Sequence, residues 1–244
     1  MNDEFFRLKD IFFDVKKLVA FTGAGISSES GIPTYRGEGG LWNKYDPSRY
    51  ANINYFMQDP TEYWSFYRDV RYPSLKNAKP NIAHKALVKL EKKGIVYRVI
   101  TQNIDNLHQM AGSRNVIELH GNHSNIICLN CGRRFNMDEV YTMVGTEIPP
   151  RCSCGGILKP DVVFFGESLQ TSALDKATLA AQVCDMFLVL GSSLLVYPAS
   201  QLPIIAKETG SKLVIVNIDP TPLDGIADFV IHDSASKVLS ELLG

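Results

Sequence analysis

Six short apolar runs, rich in β-branched residues and separated by segments of helical character, constrain this chain more than any other feature. They are Lys17 to Phe21, Val96 to Thr101, Val116 to Leu119, Val162 to Phe165, Met186 to Leu190 and Leu213 to Asn217. A strand that is apolar on both faces must be covered on both, which is the condition of a parallel sheet between layers of helix. The clearest intervening helix follows Pro80: Asn81 is placed to cap it, Ile82, Ala86, Leu87 and Leu90 form an apolar stripe, and Gly94 stops it. Strands alternating with helices predict an α/β fold built on a doubly wound, Rossmann-like parallel sheet. The chain has 244 residues, 45% hydrophobic and 21% charged. It is long enough to bury such a core without cross-links, and disordered, fibrous and disulfide-scaffold classes are excluded.

Two stretches break the alternation. Residues 37–79 carry many aromatics, among them Trp42, Tyr63, Trp64, Phe66 and Tyr67, and read as short helices and loops, while residues 123–158 hold four of the five cysteines. The expected organisation is a discontinuous nucleotide-binding domain of residues 1–36, 80–122 and 159–244, with 37–79 and 123–158 meeting as a smaller inserted module of helices plus a zinc ribbon. A cleft between the two is the natural ligand site.

The clustered cysteines are Cys128, Cys131, Cys152 and Cys154, with twenty residues between the pairs. An odd total argues against a secreted disulfide framework. Cys128-Leu-Asn-Cys131 has the spacing that wraps two thiolates around one tetrahedral zinc, and Cys152-Ser-Cys154 closes the shell, its tight knuckle eased by Gly155 and Gly156. A redox pair or four buried thiols are the other readings; polar, glycine-rich flanks are poor places to bury free cysteine. Four thiolates leave no open position, so the expected zinc is structural. The remaining Cys184 reads as a small core residue.

Lys and Arg number 25 against 26 Asp and Glu, for a net charge of −1. No global basic field exists to gather nucleic acid or anionic membrane, so neither partner is expected. The N-terminus MNDEFFRLKD has no apolar targeting core, and no stretch reaches the roughly 18 apolar residues of a membrane span, so a cytoplasmic location is expected.

A nucleotide signal sits after the first apolar run. Leu18 to Thr22 leads into Gly23-Ala24-Gly25-Ile26-Ser27-Ser28, where Gly23 permits a tight turn, Gly25 lets backbone approach a pyrophosphate, and the next helix opens toward the anion. Ser28 occupies the place of a third glycine, and no acidic residue ends a second strand about 20 residues later, so an ordinary dehydrogenase is disfavoured. Gly191-Ser192-Ser193 and Asn217-Ile218-Asp219 place small polar groups at the ends of two further strands, where a ribose or adenine would lie.

The full run from Gly23 to Gly37, GAGISSESGIPTYRG, resembles the opening signature of the sirtuins. Thr101 to His108 (TQNIDNLH), His120-Gly121, the four cysteines, Val163 to Glu167 (VFFGE), Gly191 to Leu194 (GSSL) and Val216 to Asp219 (VNID) match the remaining family blocks in order. The likeness is to the prokaryotic or archaeal type and runs from about residue 15 to the C-terminus.

The resemblance implies an NAD-dependent protein lysine deacetylase in which NAD is a co-substrate. The acyl oxygen attacks the nicotinamide ribose as nicotinamide leaves, and a base then helps the ribose hydroxyls to take the acyl group, giving deacylated lysine and 2′-O-acetyl-ADP-ribose. His120 is the implied base, a role its imidazole suits near neutral pH. Asn103 joins it at the catalytic centre. Gln102, Asn103, Ile104 and Asp105 correspond to the nicotinamide and ribose pocket, Ala24, Ser28, Tyr35 and Arg36 to a mobile cofactor loop, and Gly191, Ser192, Ser193, Asn217 and Ala235 to the adenosine side. Val163, Phe164, Phe165, Gly166 and Glu167, with Val196, correspond to the edge on which an extended acetylated peptide adds as a strand. Acetylated lysine proteins are the implied partners, chromatin proteins among them.

Asn103 and Asp105 also read as caps of a helix beginning near Ile104, and His84 and His108 as helix-surface or packing residues. A desuccinylating branch of the family carries Tyr-x-x-Arg; here Tyr67-Arg-Asp-Val70-Arg71 puts valine at the arginine position and Arg71 one step late, with Asp69 placed to compete for it, so acetyl is the expected acyl group. Desuccinylation or other deacylation, mono-ADP-ribosyl transfer and a zinc-stabilised NAD-sensing module without turnover are the alternatives.

Overall fold

The computed structural model describes residues 3–244. Its main sheet has six parallel strands in the order β3-β2-β1-β7-β8-β9: β1 is Leu18–Thr22, β2 Val96–Thr101, β3 Val116–Glu118, β7 Met186–Leu190, β8 Lys212–Val216 and β9 Phe229–Ile231. Alternation along each strand feeds two cores. Leu18 and Ala20 of β1 face one layer, formed by the helices Asp3–Phe12, Ile82–Lys92 and Ala235–Leu243. Val19 and Phe21 face the other, formed by Thr171–Val183 and Leu202–Glu208. The doubly wound α/β fold is therefore present, with helices on both faces of a parallel sheet.

The helix after Pro80 forms as expected, with Asn81 Oδ1 accepting from the Ala83 and His84 amides and Gly94 in a left-handed turn, φ 75°. One member of the expected stripe is wrong: Ile82 is 56% exposed, and Ala83 takes its place against the sheet. In the first turn the chain has not yet come down onto the core.

A second sheet is small and antiparallel, in the order β5-β4-β6, with β4 Gly121–Cys128, β5 Arg134–Asn136 and β6 Leu158–Val162. This corrects the run Val162 to Phe165. Only Val162 is in a strand, and that strand pairs with β4 rather than joining the parallel sheet, so residues 159–162 of the segment expected in the large domain lie in the small sheet. Val163 donates instead to His120 O at 2.9 Å, and Phe165 to Ala51 O at 2.7 Å. Phe56, Tyr63, Trp64 and Tyr67 pack with Ile126, Cys128, Cys152, Leu158 and Phe164, so the aromatic insertion and the cysteine ribbon share one core. Strand β9, only three residues long, had no counterpart among the six apolar runs.

No helix among the described residues is long and apolar enough to cross a membrane.

Candidate functional site

The strand order reverses between β1 and β7, and the carboxyl ends of β1, β2 and β7 meet there, the usual ligand position of an open α/β sheet. Contact is close. A Cβ on Gly25 would fall 2.7 Å from Gly191 Cα, and one on Gly23 2.7 Å from Gly191 O. The glycines expected to admit a pyrophosphate thus already lie backbone to backbone against the end of β7, with Gly25 N donating to Gly191 O at 2.8 Å.

A cleft of about 1230 Å³ opens over this junction and runs to the small module. It exceeds the roughly 300–1,000 Å³ of most small-molecule pockets, enough for a dinucleotide and a peptide side chain together. Its wall gathers Gly23, Ala24, Gly25, Ser28, Tyr35, Arg36, Gln102, Asn103, Ile104, His120, Gly191, Ser192, Ser193, Asn217 and Ala235 with Val163, Phe164, Phe165, Gly166, Glu167 and Val196. Asp105 alone among the expected pocket residues is not on this wall.

His120 follows β3 and turns into β4 at Gly121, whose φ of 74° and close approach to Asp161 O exclude a side chain. Its Nδ1 lies 2.9 Å from Gln102 O. A carbonyl only accepts, so Nδ1 carries the proton and Nε2 keeps its lone pair. Burial lowers the His120 pKa below the ordinary 6.5, against the opposing pull of the Gln102 carbonyl, so the ring is neutral at pH 7.

Asn103 extends from the end of β2, its amide N–H bound to Thr101 Oγ1 at 3.0 Å. Its Nδ2 donates to Gly23 O and to Ser27 Oγ, each at 3.1 Å. Gly23 O cannot donate, which fixes the amide orientation and leaves Oδ1 as the acceptor offered to a ligand. Ser27 in turn donates to Asp105 Oδ2 at 2.7 Å, and Asp105 Oδ1 accepts the Leu107 amide at 2.9 Å. Burial raises the Asp105 pKa, with these bonds opposing it. Asp105 therefore acts behind the wall, through Ser27 and Asn103. The helix expected near Ile104 begins at Leu107, and Asp105 rather than Asn103 bonds its first turn.

Gln102 Nε2 and the Leu194 amide both donate to Ser192 Oγ, at 2.8 and 3.3 Å. With its acceptor capacity so used, the Ser192 hydroxyl proton is left for a ligand oxygen. This donor set, together with the glycine junction, fits a nucleotide carrying ribose and phosphate.

Sequence reasoning passed over three polar groups near the cleft. Ser27 is fully buried and holds Asn103 and Asp105 together; its place inside the first glycine run was the available signal. Tyr63 Oη and His123 Nδ1 are buried without hydrogen-bond partners and both residues line the cleft, but nothing in their spacing joins them. Beside them Arg71 is 6% exposed, its guanidinium 5.1 Å from the Tyr35 ring and 5.4 Å from Phe66. Asp69 does not compete for it. That carboxylate pairs with Arg68 at 2.6 Å, and no described carboxylate is in ion-pair contact with Arg71. Tyr67–Arg71 forms one π-helical turn, which takes an extra residue and places Arg71 in the cleft wall.

The four sulfurs of Cys128, Cys131, Cys152 and Cys154 lie within 4.8 Å of one another, with Cys128 to Cys154 at 3.5 Å and Cys131 to Cys152 at 3.7 Å. A tetrahedron of bonds near 2.3 Å has edges of about 3.8 Å, so the set fits one structural zinc. Cys184 is apart, buried and bonded to Ala181 O and Ser211 Oγ. His84 and His108 are buried packing residues rather than surface ones, their rings 4.9 Å apart.

The model of the Sir2 family matches residues 23–198. An NAD-dependent protein deacetylase of Sulfurisphaera tokodaii is 48% identical over 96% of this chain and 92% of its own length. A Sir2 structure with p53 peptide and NAD+ is 39% identical with a TM-score of 0.90, covering 97% of this chain and 96% of that one. Another, with a deacetylated p53 peptide and 3′-O-acetyl-ADP-ribose, is 40% identical with a TM-score of 0.94 and the same coverage.

Proposed function

The chain belongs to the Sir2 family, and from that membership we infer that it is an NAD-dependent protein lysine deacetylase acting on acetyl-lysine peptides. When bound, NAD supplies the ribose that accepts the acetyl group as nicotinamide departs. The observation that carries the reading is His120: a half-buried, neutral imidazole with Nε2 free of any hydrogen bond among the described residues, on the wall of a cleft that also holds Asn103 and the Val163 to Glu167 segment.

Each residue then has a task its contacts support. His120 Nε2 accepts a ribose hydroxyl proton while Nδ1–H stays anchored on Gln102 O. Asn103 Oδ1, held by Ser27 and Gly23, receives a donor from the nicotinamide side, and Ser192 donates to the sugar or phosphate. Tyr35, its ring tilted against Trp42 with centroids 5.0 Å apart, covers the reacting ribose against water. Arg36, exposed on the same loop, reaches phosphate. The Phe165 backbone is already paired with Ala51 and Ile53, so the peptide is met at Val163 O and from Gly166 onward. A net charge of −1 supports recognition through acyl-lysine rather than through nucleic acid; acetylated chromatin proteins are candidate clients on the same chemistry.

Mass spectrometry of the protein with NAD and an acetyl-lysine peptide tests this. Free lysine peptide with O-acetyl-ADP-ribose, lost in His120→Ala, is the expected outcome. ADP-ribose appearing on protein with no deacylated peptide would replace the reading by mono-ADP-ribosyl transfer. A second reading, removal of acidic acyl groups as well, is favoured by Arg71, a buried cleft guanidinium with no carboxylate partner among the described residues, beside two polar atoms that likewise have no hydrogen-bond partner there. A succinyl-lysine peptide run in parallel decides it.

A further inference from the structure

Lys159 is a buried ammonium that the chemistry above leaves without a task. It is 8% exposed, lies in β6 opposite Ile127 of β4, and is not on the cleft wall. Its surroundings explain how the charge is accommodated. Nζ donates to Val162 O at 2.7 Å and lies 2.9 Å from Glu167 Oε2 and 4.4 Å from the centroid of the Phe164 ring. Glu167 Oε2 also accepts the Phe164 amide at 2.8 Å, and the Glu167 amide donates to Phe164 O at 3.0 Å. One lysine and one glutamate thus fold residues 162–167 back on themselves.

These bonds fall on particular peptide planes. The plane between Val162 and Val163 is held at both ends, its carbonyl by Lys159 and its N–H by His120 O. The next plane, between Val163 and Phe164, is held at its N–H by Glu167, whose charge Lys159 balances. Val163 O, the carbonyl of that second plane, takes part in none of these bonds. Its direction is set by the two planes, and both depend on Lys159.

We propose that Lys159 is a positioning residue for the acyl-lysine peptide: without touching substrate, it orients Val163 O and the Gly166 turn against which the incoming chain pairs. The inference rests on the reading of Val163 to Glu167 as the peptide edge. It also gives the small module a path to the cleft, since Leu158, beside Lys159, pairs with the zinc-set residue Cys128.

The test measures peptide and NAD separately in zinc-loaded protein. Lys159→Met is expected to raise the KM and the dissociation constant for an acetyl-lysine peptide about tenfold, the loss expected of one charge-assisted hydrogen bond, with the KM for NAD and the zinc content unchanged. Lys159→Arg restores most of the peptide affinity. Unchanged peptide affinity, or peptide and NAD constants rising together with no recovery by arginine, overturns the proposal in favour of a structural lysine. If Lys159→Met does not fold, Glu167→Gln, which still accepts the Phe164 amide but loses its charge, must weaken peptide binding alone; no weakening overturns the proposal. Absence of turnover in the unsubstituted protein would instead overturn the deacetylase reading, and fluorescence anisotropy with the acetylated peptide would still decide the role of Lys159.

Discussion

His120 donates its Nδ1 proton to the backbone carbonyl of Gln102 across 2.9 Å, so a residue just past the end of β2 selects the tautomer of a residue just past the end of β3. The two strands are parallel neighbours, and the Leu119 amide, bonded to Thr101 O at 2.9 Å, locks their ends in register. The proposed base is prepared by backbone rather than by a carboxylate partner.

The pH dependence follows from this pair. Only neutral His120 accepts a proton, and burial moves its pKa down from 6.5, so kcat/KM should fall on the acid side with a midpoint below 6.5. A midpoint above 6.5 would contradict the half-buried, carbonyl-anchored ring. His120→Ala should cost on the order of 10²- to 10⁴-fold in rate, the usual scale of general base catalysis.

Acid stability should be governed by His123, whose pKa burial lowers well below 6.5, together with His84 and His108. Burial lowers the pKa values of His84 and His108 to about 4 and about 3, the second helped by repulsion from His84. The folded state holds all three neutral while the unfolded chain takes up protons below about 6.5, so stability is full above that pH and is lost as pH falls toward the folded values. Between pH 7.5 and 5 the loss should be on the order of 2 kcal/mol per histidine. Urea unfolding at the two pH values checks it, and His84→Gln should flatten the dependence.

Zinc should be structural. Chelation is expected to release one equivalent of zinc, lower Tm and loosen the core around Phe56, Trp64 and Leu158, which includes Cys128 and Cys152. Cys131→Ser should do the same. A chelator that left Tm and zinc content unchanged would remove the metal from the account.

The glycine junction should tolerate no side chain. Gly25→Ala places Cβ 2.7 Å from Gly191 Cα, so a shift costing roughly 1–3 kcal/mol and a raised KM for NAD are expected. Gly225→Ala, whose Cβ meets nothing within 4 Å, is the control and should be neutral in both measurements.

Arg71 should decide acyl preference. Arg71→Met is expected to lower the ratio of succinyl to acetyl turnover while leaving the His120 pH profile in place. An unchanged ratio would assign the guanidinium to packing against Tyr35 and Phe66 alone.

Much of this molecule was legible in one dimension because the deciding forces are local. Continuous apolar runs fixed β1, β7 and β8 to within a residue, since a strand buried on both faces has no polar position to lose its place by. Cysteine spacing announced the metal set, because chelation by neighbours is a property of chain geometry. The ordered motifs named the residues of the cleft, with Asp105 alone set behind its wall.

Tertiary structure alone decided the rest. Val162 to Phe165 is as apolar as a central strand, yet hydrophobicity does not say which backbone groups a segment will meet; His120 O, Ala51 O and Lys159 supplied the partners and made it a clamped edge. Tyr63, Arg71 and His123 carry no shared spacing and become one polar corner only where two insertions pack together. Periodicity records which face of an element is buried. The partner of each buried polar atom is set by elements distant in sequence, and here those partners fix the tautomer of His120 and the orientation of Asn103.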